Sequence, residues 1–138
     1  MGNNTSNQNL FQRVKELKLP MGKYALFGSA PLGIRKLKNC RDIDIVVTED
    51  LWDEYKQKNW KLRTKPHGSK YLWNKKIELW KDWQPGQWDI KQLIKEAEII
   101  NDLPFVRLER VLEYKKLLGR KKDLADIKII KKFLQTKK

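Results

Sequence analysis

Residues 27–47, FGSAPLGIRKLKNCRDIDIVV, pass from an apolar run through a glycine turn into a second apolar run that carries two aspartates one residue apart. Residues 24–27 read as a buried strand closed by Gly28. Pro31 stands where the first turn of a helix begins, a position at which its missing N–H costs nothing. Residues 42–48 read as the next strand. Alternate residues of a strand share a face, so Asp42 and Asp44 point one way and Ile43, Ile45 and Val47 point into an apolar layer. A carboxylate on such a strand is costly unless it is paired or binds a metal. Two of them, about 6 to 7 Å apart along the strand, can ligate one divalent ion or bracket two. Upstream, Gly28-Ser29 precedes a helix start, where free backbone N–H groups and a hydroxyl can receive a phosphate. Gly28 permits close backbone approach, and Gly33 leaves room on the first helical turn. A phosphate cradle followed by paired aspartates on the adjacent strand describes a nucleotide site with a metal.

The rest of the chain limits the chemistry available. With 138 residues it fits one domain, taken as residues 1–138 with 1–8 as a flexible polar leader. MGNNTSNQN lacks the layout of a signal peptide, although Gly2 and Ser6 match a myristoylation pattern. No apolar run is long enough to span a membrane. Cys40 is the one cysteine, so no internal disulfide forms and nothing points to secretion; the expected location is cytoplasmic. One cysteine and one histidine, His67, do not complete a zinc shell. A metal must therefore be held mainly by oxygen, which suits Mg²⁺ or Mn²⁺. Thirty-one Lys and Arg against 17 Asp and Glu give a formal net charge of +14, which attracts polyanions such as nucleotides and RNA. The same excess also serves solubility.

Around the opening stretch, Leu10, Val14 and Leu17 recur at helical spacing before Pro20. Thr48 is placed to cap a short helix that begins at Glu49 and Asp50. Residues 60–64, 71–73 and 77–83 read as strands, with 65–68 (KPHG) as a turn. Ile90, Leu93, Ile94, Ala97 and Ile100 mark an amphipathic helix, and Phe105-Val106 a short apolar link. Helices then run over 108–118, stopped by Gly119, and from about Asp123 to Leu134. The expected class is α+β, a mixed sheet covered by helices. Trp80 and Trp88, among six tryptophans, are placed to stack on a base or to pack in the core.

The 28–47 segment resembles the signature of the nucleotidyltransferase superfamily with a polymerase-beta-like fold: Gly28 and Ser29 after the first strand, Gly33, then Asp42-x-Asp44 on the second. The resemblance implies a third carboxylate on a later strand, and Glu78 in Ile77-Glu78-Leu79 is the choice, with Asp82 in reserve. Residues 103–127 are similar to the tail of small stand-alone members, through Lys115, Arg120, Lys122, Asp123 and Asp126. Together these matches extend over residues 24–134. Two departures stand out: a longer gap between Gly-Ser and Asp-x-Asp, and Arg41 where a small hydroxyl residue is common. By this resemblance the expected activity is Mg²⁺- or Mn²⁺-dependent transfer of a nucleoside monophosphate from an NTP to an acceptor hydroxyl. Asp42, Asp44 and Glu78 are the expected metal-binding catalytic acids. Gly28, Ser29, Gly33, Arg41 and Lys115 are the expected phosphate contacts. The acceptor is open between RNA, protein and small molecule. The alternative is a non-catalytic nucleic-acid-binding or toxin–antitoxin partner protein that keeps the fold.

Overall fold

The computed structural model describes the backbone of residues 2–136 and the side chains of residues 6–136. Seven strands form one mixed sheet: β1 (Tyr24–Phe27), β2 (Ile43–Val47), β3 (Lys61–Thr64), β4 (Lys70–Asn74), β5 (Ile77–Trp80), β6 (Glu98–Ile100) and β7 (Leu103–Phe105). Their order across the sheet is β3-β4-β5-β2-β1-β7-β6. β2 runs parallel to β5 and β1 to β7, and the other neighbours are antiparallel. Among the described residues six helices accompany it: α1 (Gly2–Leu17), α2 (Ala30–Gly33), α3 (Glu49–Lys56), α4 (Ile90–Lys95), α5 (Leu108–Leu118) and α6 (Lys121–Thr136). The molecule is thus of the mixed α+β kind that the pattern predicts. No helix among the described residues is long and apolar enough to cross a membrane.

The sheet has a core on each face. On one, Ile43, Ile45 and Val47 of β2 and Ile77 and Leu79 of β5 pack with Leu10, Phe11 and Val14 of α1 and Leu51 and Trp52 of α3. On the other, Phe27, Val46, Tyr71 and Trp80 pack with Leu93 of α4, Val111 of α5 and Ile130 of α6. A strand covered on both faces is expected to be apolar throughout. β2 follows this except at Asp44, which is why that residue needs a chemical explanation.

The structure differs from the sequence pattern in four places. The helix predicted over 90–100 stops at Lys95, and Glu98–Ile100 pairs with β7 as a hairpin. Its two-residue turn is Asn101-Asp102, both at positive φ (50° and 68°), the backbone that a tight hairpin requires. The apolar link at Phe105 is part of that hairpin's second strand, β7. The strand predicted over 77–83 ends at Trp80, so Asp82 lies past it. The polar stretch read as a leader enters α1, which begins at Gly2. Within it, Asn7 is buried because its amide satisfies backbone groups of the loop before β2: it donates to the Lys38 carbonyl and accepts from the Cys40 N–H, both at 2.9 Å. Thr48 does occupy the N-cap position of α3, but without a side-chain capping bond.

Candidate active site

Asp44 and Glu78 are direct partners across the parallel β2–β5 pair. Because partners share a face, the two carboxyls meet, and they hydrogen-bond to each other. Glu78 is buried, and Asp44 is half-buried. Burial first, then the Asp44 carboxyl beside it and the charge of Asp42, push Glu78 up to about 8. Burial also raises Asp44, against the bonds it accepts from Glu78 and Trp80. Like-charged neighbours out of water hold a proton between them, and Glu78 carries it, donating to Asp44. The Trp80 indole N–H donates to Asp44 Oδ1 at 3.2 Å and fixes the carboxylate's orientation.

Gly28 completes this corner. Its φ of +59° suits glycine, and a Cβ there would collide with Asp44 Oδ2. Phe27 is the register partner of Asp44, so the Gly28-Ser29 turn leaves β1 directly against the acid pair. Ser29 is the N-cap residue of α2, with Pro31 in the first turn, and its hydroxyl makes no capping bond. The carboxylates open into a cavity of about 970 Å³ whose wall includes Asp42, Lys65, His67, Asp82, Trp83 and Tyr114. Asp42 is exposed there. Tyr114 is raised to about 12, by burial foremost and by the Asp44 charge, so its hydroxyl stays protonated as a donor. The floor is aromatic: Trp80 stacks on Tyr71 at 4.5 Å, and Trp83 on Phe27 at 4.7 Å.

Not every expected residue comes to this cavity: Gly28 lies against Asp44, but neither it nor Ser29 is part of the cavity wall. Gly33 leaves room, but the Cys40 thiol fills it from the loop before β2. Arg41 lies exposed ahead of β2 and is not part of the cavity wall. Lys115, expected to meet a phosphate, is buried with its ammonium 3.0 Å from Asp126 and 3.5 Å from Asp123. Asp126 also pairs with Lys38 at 2.7 Å, and Asp123 with Arg120 at 2.6 Å. This cluster ties α5 and α6 to the loop before β2. Asp82, the reserve acid, reaches the cavity from beyond β5. Trp80 belongs to the site, whereas Trp88 packs edge-on against Phe27 and donates to the Pro85 carbonyl. Lys65, His67, Trp83 and Tyr114 are among the cavity residues that the sequence pattern did not single out. A basic turn, KPHG, directly preceding an aromatic strand is the signal that marks the first two.

The donors at the acid pair are all carboxylate oxygens, the chemistry that suits Mg²⁺ or Mn²⁺. The proton shared by Asp44 and Glu78 occupies a place where a cation would relieve the same repulsion. Among the described residues, no three Asp, Glu, His or Cys side chains are gathered into a ready metal cage. Asp42 is the acid that stands apart. Family models, curated proteins and solved structures, each compared with this chain, provide no match.

Proposed function

We propose that the protein is a metal-dependent nucleotidyltransferase of the polymerase-beta-like superfamily. The observation that carries this reading is the Gly28-Ser29 turn set against the Asp44–Glu78 pair across three adjacent strands. An acid pair with one member buried and the other half-buried has no structural use in the middle of a sheet, and its cost needs a partner to offset it. In the reaction, an acceptor hydroxyl oxygen bonds to the α-phosphorus of an NTP. The bond to the outgoing pyrophosphate breaks, and pyrophosphate leaves with the electron pair.

Asp42, Asp44 and Glu78 would hold Mg²⁺ or Mn²⁺. When bound, the ion neutralises charge on the attacking and leaving oxygens of such a displacement. Trp80 orients Asp44. Lys65 and Arg120 place positive charge on the cavity wall, and a phosphate that reached the adjoining Gly28-Ser29 turn would meet the Ser29 hydroxyl. Glu78, once ionised, is placed to accept the hydroxyl proton. The cavity is large enough for a nucleotide, and its aromatic floor suits a base. Incubating the protein with α-labelled NTPs, Mg²⁺ and a cell extract tests the activity. Label passes to a larger acceptor with the parent chain and not with Asp42→Asn/Asp44→Asn. Equal labelling by both would overturn the assignment.

A further inference from the structure

Asp44 and Asp42 are held at the cavity by different means. Asp44 lies inside β2, paired with Phe27 on one side and Glu78 on the other, so the sheet fixes it. Asp42 precedes Ile43, the first residue of β2, and ends the loop that follows α2. Its place is therefore set by that loop. At one end, the Ile43 N–H donates to the Lys76 carbonyl at 2.8 Å. At the other, the Cys40 N–H donates to Asn7 Oδ1 and Asn7 Nδ2 donates to the Lys38 carbonyl, both at 2.9 Å. The same Nδ2 donates at 3.4 Å to the Gly33 carbonyl, where α2 ends. Asp42 stands between two pinned amides, those of residues 40 and 43. The Lys38–Asp126 ion pair ties a side chain of this loop to α6, whereas Asn7 holds its backbone.

The position of Asn7 in α1 makes these bonds its purpose. It precedes Leu10, Phe11 and Val14 at helical spacing, on the apolar face that packs against the sheet. An aliphatic residue there would bury more apolar surface, and asparagine is a weak helix former. Yet Asn7 is buried, and both ends of its amide go to the loop. Gly33 belongs to the same arrangement. A Cβ there would run into Cys40 Sγ and come within 3.4 Å of Asn7 Nδ2, so its missing side chain makes room for the clamp. We propose that Asn7 is a positioning residue for the metal site: through the loop backbone it sets where the Asp42 carboxylate meets Mg²⁺ or Mn²⁺. The inference rests on the proposed transferase reading. Mg²⁺ demands near-octahedral geometry at about 2.0–2.1 Å from its ligands. A misplacement of about 1 Å at a reacting centre costs on the order of a hundredfold. An acid ahead of its strand meets that demand only when its backbone is held, and α1 supplies the hold.

Asn7→Leu tests this in the full chain, because leucine keeps the branched shape, suits the apolar face and removes both bonds. Amide hydrogen exchange in metal-free buffer, resolved by NMR, reads the clamp. The Cys40 amide exchanges at least tenfold faster in the variant, while Ile43 and Ile45 change less than twofold. Isothermal titration of ATP in Mg²⁺, below the melting range, reads the consequence: affinity falls at least tenfold. Val14→Ala opens a cavity on the same buried helix face and destabilises the fold without touching the loop. Its ATP affinity stays within twofold of the parent's. Gly33→Ala displaces Cys40 from the other side and reproduces the loss without altering α1. Equal losses in Asn7→Leu and Val14→Ala, or unchanged Cys40 exchange in folded Asn7→Leu, would overturn the proposal. Should Asn7→Leu fail to fold, Gly33→Ala decides, and parental affinity in that variant overturns it. Parental affinity in Asn7→Leu, while ATP binding still requires Asp42 and Asp44, removes the positioning role and leaves the transferase. ATP affinity indifferent to those aspartates removes the transferase reading, and the positioning role with it.

Discussion

At the scale of single residues, the account turns on Gly28, Asp44 and Glu78. Gly28→Ala adds a side chain at φ +59° and drives it onto Asp44 Oδ2. The left-handed backbone alone costs about 1–2 kcal/mol, and the collision displaces the carboxylate. The expected outcome is a lower melting temperature together with at least a tenfold loss of Mg²⁺-dependent NTP affinity, read by calorimetry. Glu78 gives a pH signature. Its folded pKa, near 8, is above the unfolded value, so the folded state holds the proton more tightly. That stability is fully present below the unfolded pKa and is lost as pH rises toward 8. Glu78→Gln keeps a donor to Asp44 without the charge. In metal-free buffer its melting temperature should exceed the parent's at pH 8.5, and the advantage should shrink toward pH 5. A constant difference across that range would contradict the shared-proton description.

At the scale of elements, the strand–turn–helix–strand unit of residues 24–47 was legible because its cues agree: an apolar run, a glycine, a proline at a helix start and alternate acids. β1 matches the predicted range, and β2 falls inside it. The register that sets Glu78 beside Asp44 was not legible, since local spacing does not say that β5 lies parallel to β2. The same limit hid the β6–β7 hairpin, whose isoleucines fit helical spacing as well as a strand until the Asn101-Asp102 turn is considered. Lys115 shows a related gap: the residue type suits a phosphate, but long-range packing gives it two aspartates. Lys115→Met would leave Asp123 and Asp126 short of a buried counter-charge, and removing one member of such a cluster costs about 3–5 kcal/mol. Chemical denaturation should show that loss, while NTP affinity at low temperature changes less than threefold. Loss of affinity without loss of stability would instead make Lys115 a phosphate ligand. Acid has its own effect here. Burial would raise Asp123, but the Arg120 side chain and backbone N–H, with the Lys115 charge, outweigh it and hold the carboxyl at about 2. The α5–α6 cluster therefore stabilises the fold above the ordinary aspartate range, and that contribution disappears as pH falls toward 2.

At the scale of the whole molecule, the sheet divides the work. One face packs against α1 and α3, and the other, which carries the acid pair, against α4, α5 and α6. The acid pair opens from that second face into the cavity that would take the nucleotide. A net charge of +14 was legible at once as an attraction for polyanions; that Lys65 reaches the cavity was not, because it depends on how β3 and β4 pair. The most direct test of the central claim is isothermal titration of NTP in Mg²⁺ against the parent chain and Asp42→Asn/Asp44→Asn, with folding of both checked by circular dichroism. The account predicts binding by the parent, its disappearance when Mg²⁺ is chelated, and none by the folded double variant. Binding of NTP by that variant at the parent's affinity would contradict it.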